Sequence, residues 1–450
     1  MAKKTVKFID LFAGLGGIRI GFEEAFKQAG YKTKCVLTSE IKEAAITALN
    51  LNFPGEKVDG DITQIKSKDI PDFDFLLGGF PCQAFSVAGK QRGFADTRGT
   101  LFFEIERILR DKKPYGFLLE NVEGLVVHDL ASNTDKPGRT LKIILEKLEK
   151  ELEYNVSWDV LDAQDFGIAQ ARRRVYIVGT RKGKISLGEF PITSAKFEDI
   201  METGCDTLRG KFIEKLFNRY NPEQLYGKAI KDKRGGDNNI HSWDIGLRGT
   251  TTIAERALLN ALLLERRKKH WAEKIGIVWM DGMPLTTEQI RTFHDKPNLQ
   301  AMLDKLTKQG YLVLEHPKQK KETKDSTEDR KIYERVPDKT KPKGYNIVTG
   351  KLSFQFSRIL CPESVTPTLV AMDMSTLGVI DNGGLRRLTL REGLRLFGYS
   401  DDYTLDAFNG TKKGLKQGFD LLGNTVCVTV IKAVSERMAT NYKEHGGKAK

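Results

Sequence analysis

Cys82 is the residue with the clearest potential for chemistry. It stands in Gly78-Gly79-Phe80-Pro81-Cys82-Gln83, a glycine- and proline-rich loop that directly follows an apolar run. A lone cysteine is most often a small buried residue without reactivity. At the carboxyl end of a strand, however, it stands where open α/β sheets bind their ligands. Since a free thiol has a pKa of about 8.5, a nucleophilic Cys82 requires surroundings that favour the thiolate.

Glu120 is a second candidate, in Leu119-Glu120-Asn121-Val122 at the end of another apolar run. On its own, this glutamate could simply cap a loop. Beside an activated cysteine, a carboxyl group at this position suits the protonation of a ring nitrogen. The two residues together therefore indicate a nucleophile and an acid that act on one heterocycle.

The segment Phe8-Ile9-Asp10-Leu11-Phe12-Ala13-Gly14-Leu15-Gly16-Gly17 predicts a strand, a glycine turn and the start of a helix. Glycines allow close backbone approach, and the amino end of a helix favours anionic groups. The spacing differs from the dinucleotide fingerprint, since Arg19 stands where its third glycine would be. Glu40 and Asp61 end the next two extended runs, where carboxylates typically accept hydrogen bonds from ribose hydroxyls. Together these features predict a nucleoside-containing cofactor, although each carboxylate alone also suits a plain surface position.

These residues need a scaffold, and residues 1–180 alternate short apolar runs with helical periodicity. The predicted strands are Val6–Phe12, Lys34–Thr38, Phe75–Leu77, Phe117–Glu120, Val156–Leu161 and Val175–Val178. The predicted helices are Gly17–Ala29, Glu43–Asn50, Leu101–Leu109 and Thr140–Leu152, then Leu390–Leu396 and Val426–Met438 with a glycine- and lysine-rich loop between these last two. The fold class is therefore α/β, with an open, mostly parallel sheet and helices on both of its faces.

The composition is that of a soluble globular protein: 450 residues, 40% hydrophobic and 30% charged, enough for two or three domains. No apolar run approaches the ~20 residues of a membrane span, so we expect no membrane association and a cytoplasmic location. The five cysteines lie far apart and lack the spacing of metal ligands. We therefore expect neither a disulfide framework nor a metal site.

The net charge of +13 is concentrated in the middle of the chain. Residues 181–358 hold 35 Lys and Arg against 24 Asp and Glu, whereas residues 1–180 balance at 26 each and residues 359–450 at 12 against 10. A basic segment in an otherwise neutral chain suits contact with a polyanion. The alternative is a solvated, lysine-rich surface.

The middle of the chain also differs in its pattern. Helical periodicity over Leu258–Lys274, Leu285–Phe293 and Asn298–Lys308 is followed by the strand-like Tyr311–Leu314 and the polar Lys318–Lys331. Three helices, a strand and a polar stretch resemble a winged-helix module with a long wing. The alternative is a helical insertion that only packs. The polar composition of residues 318–343 predicts a mobile loop.

The order of the motifs makes a resemblance to a known family specific. The glycine turn is followed by Pro81-Cys82-Gln83, Glu120-Asn121-Val122, Gln170-Ala171-Arg172-Arg173-Arg174 and Gly423-Asn424-Thr425-Val426. Over residues 1–180 and 385–440, the chain resembles DNA cytosine-5 methyltransferases of the bacterial restriction-modification type. The usual Gln-x-Arg-x-Arg of that family here contains an additional arginine, Arg173, which we expect to face phosphate or solvent.

The resemblance implies a role for each matching residue. The implied pocket for S-adenosylmethionine consists of Phe12, Gly14, Gly16, Glu40, Asp61, Ile62, Gly79, Pro81, Leu101, Asn424, Thr425 and Val426. The implied catalytic residues are Cys82 as the nucleophile, Glu120 on the cytosine ring, and Arg172 and Arg174 on its carbonyl edge. The expected DNA contacts are Ser86, Lys90, Arg92, Arg98, Gln170, Arg248, Arg386 and Arg387.

Three segments have expected supporting roles. Residues 83–100, which are rich in glycine and basic residues, are expected to close over a flipped nucleotide. His241–Gly249 is a polar and aromatic segment of the type that reads bases in the major groove. Thr366–Leu369 is expected to support the recognition loops.

The implied architecture is a Rossmann-like methyltransferase domain over residues 1–182 and a basic target-recognition domain over 183–385, with the winged-helix-like insertion at 255–345. Residues 386–418 are expected to form a hinge, and residues 419–450 to return to the catalytic domain. The implied reaction transfers a methyl group to C5 of a flipped-out cytosine in double-stranded DNA, through a covalent bond between the cysteine and C6. We expect a monomer. Whether a cognate restriction endonuclease acts separately stays open.

Three other functions remain as alternatives. A nicotinamide-dependent oxidoreductase would share the sheet and the glycine turn but would not need the Pro-Cys-Gln loop. A tRNA cytosine-5 methyltransferase would share the catalytic scaffold but would not need a long basic insert. A DNA-binding protein without catalysis would not need the intact set of Cys82, Glu120, Arg172 and Arg174.

Overall fold

A computed structural model describes residues 4–80, 101–130, 136–232, 238–278, 282–324, 331–349, 356–371 and 373–446, with the backbone alone at 322–324 and 331–333. The chain forms two compact units. Unit 1 comprises Met1–Glu202, Cys361–Ser375 and Leu388–Lys450, and unit 2 comprises Thr203–Leu360 and Thr376–Arg387. The chain thus leaves unit 1 twice and returns to it twice, at points that differ from the boundaries expected after residues 182 and 385.

Helices and strands are numbered along the chain. The helices of the described residues are α1 Gly17–Gln28, α2 Glu43–Asn52, α3 Leu101–Lys112, α4 Arg139–Glu146, α5 Lys211–Phe217, α6 Pro222–Leu225, α7 Ile253–Glu265, α8 His270–Glu273, α9 Thr287–Arg291, α10 Leu299–Lys308, α11 Leu390–Arg395, α12 Lys412–Gly423 and α13 Val428–Asn441. The strands are β1 Thr5–Leu11, β2 Lys32–Ser39, β3 Phe75–Gly79, β4 Gly116–Val122, β5 Asn155–Asp162, β6 Arg173–Thr180, β7 Ala229–Ile230, β8 Asn239–Ile240, β9 Leu312–Glu315, β10 Lys318–Lys324, β11 Lys331–Pro337, β12 Gly344–Ile347, β13 Arg358–Ile359, β14 Leu377–Asp381 and β15 Gly384–Arg387.

A six-stranded sheet in the order β2-β1-β3-β4-β6-β5 forms the centre of unit 1. The pairs β2–β1, β1–β3 and β3–β4 are parallel, and β6 is antiparallel to both of its neighbours. The predicted α/β class with a mostly parallel sheet is therefore confirmed, and each of the predicted strands overlaps one of β1–β6. The central strands are buried along almost their whole length, as expected for a sheet with helices on both faces.

The carboxyl-terminal helix α13 packs closely against the first helix, α1. A Cβ atom at Gly21 of α1 would lie 2.7 Å from the carbonyl oxygen of Val428 and 2.8 Å from the amide nitrogen of Lys432. No side chain fits between the two helices at this position. Among the described residues, the segment Lys412–Gly446 is long and apolar enough to cross a membrane by length and composition alone, but 67% of its most apolar stretch is buried inside the protein.

The glycine- and lysine-rich segment before α13 forms the helix α12, so the prediction of a loop there is wrong. Thr411 caps this helix, because its hydroxyl oxygen accepts a hydrogen bond of 3.0 Å from the Gly414 amide. A Cβ atom at Gly414 would lie 2.6 Å from the carbonyl oxygen of Phe408, and one at Gly418 would lie 2.9 Å from the Leu390 side chain. These glycines therefore allow close packing, which the composition alone does not reveal.

Unit 2 contains a five-stranded sheet in the order β15-β14-β13-β7-β8. Between β8 and β13 along the chain, the helices α7, α9 and α10 are followed by β9, by the antiparallel hairpin β10–β11, and by β12, which pairs with β9. Residues 318–343 thus include two strands of a hairpin, where the polar composition predicts a mobile loop. The hairpin is held by backbone pairing, which a composition-based prediction does not consider.

The segment His241–Gly249, expected to read bases, supplies part of the core of unit 2. Trp243 is 1% exposed, stacks on His241 with 4.5 Å between ring centroids, and donates a hydrogen bond of 3.1 Å to Asn260. The Ser242 amide donates a bond of 2.7 Å to the buried carboxylate of Asp232. The expectation of base reading is therefore wrong for these buried side chains.

We expect Gly21→Ala to lower the free energy of unfolding by roughly 1–3 kcal/mol, because the new methyl group would overlap backbone atoms of α13. Without that overlap, alanine would stabilise the helix by up to ~1 kcal/mol relative to glycine. Urea unfolding measures the difference, with Lys27→Ala on the exposed side of α1 as the control. A Gly21→Ala chain as stable as the wild type would contradict the close packing of α1 and α13.

Candidate active site

A cavity of about 390 Å³ opens at the carboxyl end of the parallel strands of unit 1. The segments after β1 to β4 supply most of its wall, as expected for a ligand site in an open α/β sheet. Its lining residues are Phe12, Gly14, Ser39, Glu40, Ile41, Lys42, Ala45, Asp61, Ile62, Gly79, Phe80, Leu101, Glu120, Asn121, Val122, Arg172, Arg174, Leu421, Gly423 and Asn424. They include eight of the predicted cofactor residues and three of the predicted catalytic residues.

The turn after β1 forms one wall of the cavity. Phe12, Gly14 and Gly16 have positive φ angles of 57°, 56° and 70°, a region that is rare for residues with a side chain. A Cβ atom at Gly16 would lie 2.8 Å from the ring of Phe53, so this position excludes a side chain. Gly16 does not line the cavity. It supports the turn that presents Phe12 and Gly14.

Glu40 connects the turn after β1 with the segment after β2. Its Oε2 accepts a hydrogen bond of 2.8 Å from the Gly14 amide, and its Oε1 accepts bonds of 2.8 Å from the amides of Ile41 and Lys42. Each carboxylate oxygen has more than one lone pair. Glu40 therefore holds the two loops together and keeps the capacity to accept a further hydrogen bond from a ligand in the cavity.

Asp61 and Ile62 form the adjoining part of the wall. Asp61 Oδ1 accepts a bond of 2.9 Å from the Thr63 amide, which fixes the carboxylate at the start of a short helical turn. Ile62 is buried, and Leu101 at the start of α3 lines the same cavity. Acceptor oxygens beside an apolar surface suit a ligand that combines hydroxyl or amino groups with a flat ring.

Asp10, which the sequence reasoning did not assign, is a buried acid two residues before Phe12. It lies in β1, where it pairs in register with Thr38 and Leu77. The side chain is fully buried, and no described residue donates a hydrogen bond to its carboxylate. Burial raises the pKa of Asp10 to about 7, although the charge of Arg19 acts in the opposite direction.

Glu120 and Arg174 lie on the neighbouring antiparallel strands β4 and β6. The Arg174 Nε atom is 3.2 Å from Glu120 Oε1, and Arg174 also donates a bond of 2.7 Å to the carbonyl oxygen of Arg173. Burial raises the pKa of Glu120 above its ordinary value of 4.5, while the nearby charges of Arg174 and Arg172 act to lower it. The cavity wall thus holds a carboxyl group whose protonated form is favoured more than it is in water. Arg173 is largely exposed, and its Nε is 3.0 Å from Glu123.

Asn121 fixes the chain at the end of β3. Its Nδ2 donates a bond of 3.1 Å to the carbonyl oxygen of Phe80, and its Oδ1 accepts a bond of 2.9 Å from the Val122 amide. Gly79 pairs in register with Glu120. Strand β3 therefore runs beside Glu120 two residues before residue 81. Residues 83–100 and the site residues Pro81, Cys82, Ser86, Lys90, Arg92 and Arg98 lie outside the described residues, and their roles stay predictions.

Arg172 is buried, and its guanidinium group binds backbone carbonyl oxygens. It donates to Leu369 at 2.9 Å, to Thr425 at 2.7 Å and to Gly423 at 3.3 Å. The guanidinium carbon lies 4.9 Å from the centre of the Phe397 ring. This corrects the expectation that Arg172 holds the carbonyl edge of a base, since its Nη1 and Nη2 atoms donate to the chain itself. Its role is to hold residues 423–425 at the cavity.

Gln170, expected to contact DNA, is fully buried, so that expectation is wrong. Its Nε2 donates a bond of 2.9 Å to the Leu396 carbonyl, and its Oε1 accepts a bond of 3.0 Å from the Leu369 amide. The Thr366 amide and hydroxyl both donate to the Ala169 carbonyl, at 2.8 and 2.9 Å. Within unit 1, residues 366–369 therefore brace the segment that carries the arginines.

The remaining predicted cofactor residues position one another. Asn424 lines the cavity. The Thr425 hydroxyl lies 2.6 Å from the Tyr399 hydroxyl, and Val426 packs against the start of α1, where a Cβ atom at Gly17 would be 2.8 Å from its side chain. Thr425 and Val426 thus attach the carboxyl-terminal segment to the glycine turn without lining the cavity.

Three expected DNA contacts lie in unit 2. Arg386 is 2% exposed, and its Nε is 2.9 Å from Asp381 Oδ2, so the expectation that it meets phosphate is wrong. Arg248 donates a bond of 2.5 Å to the Gly310 carbonyl. The guanidinium carbon of Arg387 is 5.5 Å from the centre of a phenylalanine ring. Arg248 and Arg387 are both half-buried, and their contact with DNA stays a prediction.

Sequence reasoning missed several residues of the cavity wall. They are Ser39, Ile41, Lys42, Ala45, Phe80, Asn121, Val122, Leu421 and Gly423. Most of these flank a predicted site residue within the same motif, so adjacency along the chain is the signal that would have found them. Ala45 and Leu421 lie on the helices α2 and α12, and no local pattern distinguishes them from other apolar helix residues.

Comparison with known proteins gives a consistent result. A family model described as C-5 cytosine-specific DNA methylase matches residues 6–440. The chain is 58% identical to the Type II methyltransferase M.NlaIV of Neisseria lactamica over 97% of this chain and 99% of that protein. It is 41% identical to the Type II methyltransferase M.BanI of Aneurinibacillus aneurinilyticus over 97% of this chain and 96% of that protein. Among solved structures, the Dnmt2 methyltransferase of S. pombe has a similar fold, with a TM-score of 0.52 and 16% identity over 98% of this chain and 99% of that chain.

We expect Arg172→Lys to lower the free energy of unfolding by about 3 kcal/mol, because an ammonium group cannot bind three carbonyl oxygens in the plane of a guanidinium. Arg174→Lys keeps a cation beside Glu120 and should cost no more than about 1 kcal/mol. Chemical unfolding of the two variants, side by side, measures the contrast. Equal losses would show that Arg172 has no special role in holding residues 423–425.

Asp10→Asn should make the protein more stable than the wild type at pH 8 but not at pH 4. The folded pKa of Asp10 is raised to about 7 from an ordinary value of 3.8. The protonated carboxyl group of Asp10 contributes its full stabilisation below about pH 4. This contribution to the free energy of unfolding, at most about 4 kcal/mol, is lost as the pH rises through 7. Unfolding free energies across this range test the effect, with the exposed Asp402→Asn as control. A pH-independent difference between Asp10→Asn and the wild type would contradict it.

Proposed function

We propose a mechanism for this chain from the premise that it belongs to the C-5 cytosine-specific DNA methylase family and is a DNA (cytosine-5-)-methyltransferase. Cytosine C5 is too weak a nucleophile to take a methyl group unaided. A nucleophile that adds at C6 makes C5 electron-rich, and the family resemblance assigns this step to Cys82. The observation that carries the proposal is the buried Glu120 carboxyl group on the cavity wall, paired in register with Gly79 at the end of the strand that leads to Cys82.

In the first step, the Cys82 thiolate forms a bond to C6. The electron pair of the C5–C6 double bond shifts to C4–C5, the electron pair of the C4–N3 double bond moves onto N3, and N3 takes the proton of Glu120. After C5 has gained the methyl group, N3 returns its proton to Glu120, and C5 loses its own proton to solvent base. The C5–C6 double bond forms again as the thiolate leaves C6, so both side chains regain their starting state.

The environment of Glu120 supports its role as the acid. A carboxyl group with an ordinary pKa would be almost fully ionised near neutral pH and would have little proton to give. Burial raises the pKa of Glu120, which increases its protonated fraction. Arg174, 3.2 Å away, holds the carboxyl group in place and stabilises it after the proton has left. We assign contact with the carbonyl edge of the cytosine to Arg174 alone.

The cavity has the features required to hold S-adenosylmethionine. Its volume of about 390 Å³ is in the range of small-molecule sites. The carboxylates of Glu40 and Asp61 supply acceptors for ribose hydroxyls and for an amino group, and Phe12, Ile62 and Leu101 supply apolar surface for the adenine ring. When bound, S-adenosylmethionine supplies the electrophilic methyl group. Gly14, whose amide is held by Glu40, allows the backbone to approach it closely.

The substrate that we propose is cytosine in double-stranded DNA. C5 and C6 are buried in a duplex, so the base must be flipped out, at a cost of a few kcal/mol of stacking and pairing. Residues 83–100 contain Lys90, Arg92 and Arg98 and directly follow the nucleophile, so we assign them to the closure over the flipped nucleotide. This assignment rests on the sequence.

Target recognition is assigned to residues 183–385, most of which lie in unit 2. The excess of positive charge is in residues 181–358, with 35 basic against 24 acidic residues, as contact with a phosphate backbone requires. Relatives named Type II methyltransferases support methylation within a restriction-modification system. We propose that the enzyme acts as a cytoplasmic monomer that protects host DNA. A cognate endonuclease would share its target sequence and act separately.

We expect Cys82→Ala to lose methyl transfer by at least about 10³-fold, because no addition at C6 activates C5. Binding of S-adenosylmethionine, measured by calorimetry, should stay within about threefold of wild type, since the thiol is not needed for it. Cys205→Ala, in unit 2, is the matched control and should transfer labelled methyl groups to duplex DNA normally.

Two results would overturn the proposal. Substantial turnover by Cys82→Ala would exclude the covalent mechanism. Preferential labelling of tRNA by the wild-type chain, in direct competition with duplex DNA, would favour a tRNA cytosine-5 methyltransferase on the same scaffold.

A further inference from the structure

Arg107 of α3 binds the segment that follows Asp61 in the wall of the cavity. Its Nη2 atom donates hydrogen bonds to the carbonyl oxygens of Ile62 at 3.4 Å and of Ile65 at 3.0 Å. Its Nη1 atom donates to the Ser67 hydroxyl at 2.6 Å. A guanidinium group has five donors in a fixed plane, so one side chain can bind several acceptors along a segment.

The guanidinium group of Arg107 is itself held by Glu104, one turn earlier on α3. Glu104 Oε2 accepts bonds of 3.0 Å from the Nε atom and of 2.7 Å from the Nη2 atom. Asp111, one turn later, accepts a bond of 2.5 Å from the Ser67 hydroxyl. Residues three and four apart share one face of a helix, so a single polar stripe of α3 faces residues 62–67. The ion pair with Glu104 fixes the direction of the other donors of Arg107.

Residues 61–65 depend on Arg107 for their orientation. Internal hydrogen bonds close this turn, among them one of 2.9 Å from the Thr63 amide to Asp61 Oδ1. Within the part of the chain that the structure describes, the hydrogen bonds that reach the turn from other elements come from Arg107. The buried Ile62 belongs to an apolar cluster that also contains residues of α3. Because apolar contacts are not directional, the bonds from Arg107 set the orientation of the turn.

Helix α3 therefore contributes to the cavity in two ways. Its first residue, Leu101, lines the cavity, and so do Asp61 and Ile62 in the turn that Arg107 holds. Arg107 does not itself line the cavity. The Asp61 carboxylate and the Ile62 side chain thus take their positions relative to Leu101 from a cation that lies behind the wall.

We infer that Arg107 is a positioning residue for the cofactor, which acts through Asp61 and Ile62 and sets the affinity for the adenosine part of S-adenosylmethionine. This inference rests on the proposed function, which places S-adenosylmethionine in the cavity with acceptor oxygens and apolar surface around its ribose and adenine. It goes further, because it gives a role in cofactor affinity to a residue that does not touch the ligand. The methionine part and the reacting methyl group should not depend on Arg107.

The test compares Arg107→Gln with a control on the same helix, Arg110→Gln. The exposed Arg110 pairs with Glu106, which keeps Lys147 as a partner at 3.2 Å when Arg110 is replaced. Both variants lose one cation from α3, but only Arg107→Gln loses contacts with residues 62–67. Thermal unfolding establishes that each variant is folded.

The dissociation constants of two ligands separate the two ends of the cofactor. Calorimetry measures that of S-adenosylmethionine, and competition against labelled S-adenosylmethionine measures that of adenosine. We expect Arg107→Gln to raise both constants by the same factor, about tenfold, because both ligands contain the ribose and the adenine. Arg107→Lys keeps a cation beside Glu104 without the planar set of donors and should raise both about threefold. Arg110→Gln should keep the wild-type values.

Kinetics and a double variant separate positioning from a general structural effect. In methyl transfer to DNA, Arg107→Gln should raise the KM for S-adenosylmethionine and change kcat by less than about twofold, as the loss of uniform binding does. Asp61→Asn alters a group through which Arg107 acts, so the two effects should be coupled. The loss of affinity in D61N/R107Q should be at least about threefold smaller than the product of the two single losses.

An unchanged dissociation constant for S-adenosylmethionine in folded Arg107→Gln, or in Arg107→Lys, would overturn the inference. A loss of affinity for S-adenosylmethionine without a loss for adenosine would also overturn it, because the effect would then lie at the methionine part. An equal loss in Arg110→Gln, or single losses that multiply fully in D61N/R107Q, would contradict action through the turn.

The proposed function is distinguished from this inference by the wild-type chain. If the wild type neither binds S-adenosylmethionine nor transfers its methyl group to DNA, the proposed function is overturned, and the inference with it. Binding and transfer by the wild type, combined with unchanged constants in Arg107→Gln, would overturn the role of Arg107 alone.

Discussion

The geometry of the site depends on one buried cation, the guanidinium group of Arg172. Burial lowers its pKa to about 10, and its charge is compensated by carbonyl oxygens of Leu369, Gly423 and Thr425. These carbonyls come from two segments that are about 200 and 250 positions further along the chain, as the separations of 197, 251 and 253 residues show. A buried charge without such partners is costly, so folding is coupled to the assembly of the cavity wall.

Strand β6, which begins directly after Arg172, carries the polar chemistry. Two residues after Arg172, Arg174 pairs with Glu120. Residues 172–174 therefore have two roles: Arg172 holds the cavity wall together, and Arg174 places a cation beside the Glu120 carboxyl group. Strand β4 delivers Glu120 and Asn121, and Asn121 in turn binds the Phe80 carbonyl where the chain enters the nucleophile loop. A small number of strand ends therefore position the acid, its cationic partner and the start of the loop that bears the cysteine.

The sequence predicted what is local. Strands β1 to β6, the glycine turn and the carboxylates Glu40 and Asp61 follow from short-range patterns, because each depends on residues near it. Gln170 and Arg386 were assigned to DNA in error, since their partners, Leu396 and Asp381, lie outside any motif. The helix α12 and the hairpin β10–β11 were missed because packing and strand pairing, not composition, stabilise them.

The measurement that tests the central claim most directly is the mass of the complex with a duplex that carries 5-fluorocytosine at the target. Fluorine at C5 cannot leave as a proton, so the elimination that frees the cysteine is blocked. With S-adenosylmethionine present, we expect a denaturant-resistant adduct of the chain, the DNA strand and one methyl group, with the cross-link mapped to Cys82. A cross-link at Cys35, Cys205, Cys361 or Cys427, or methylation of normal DNA without any trapped adduct, would contradict this mechanism.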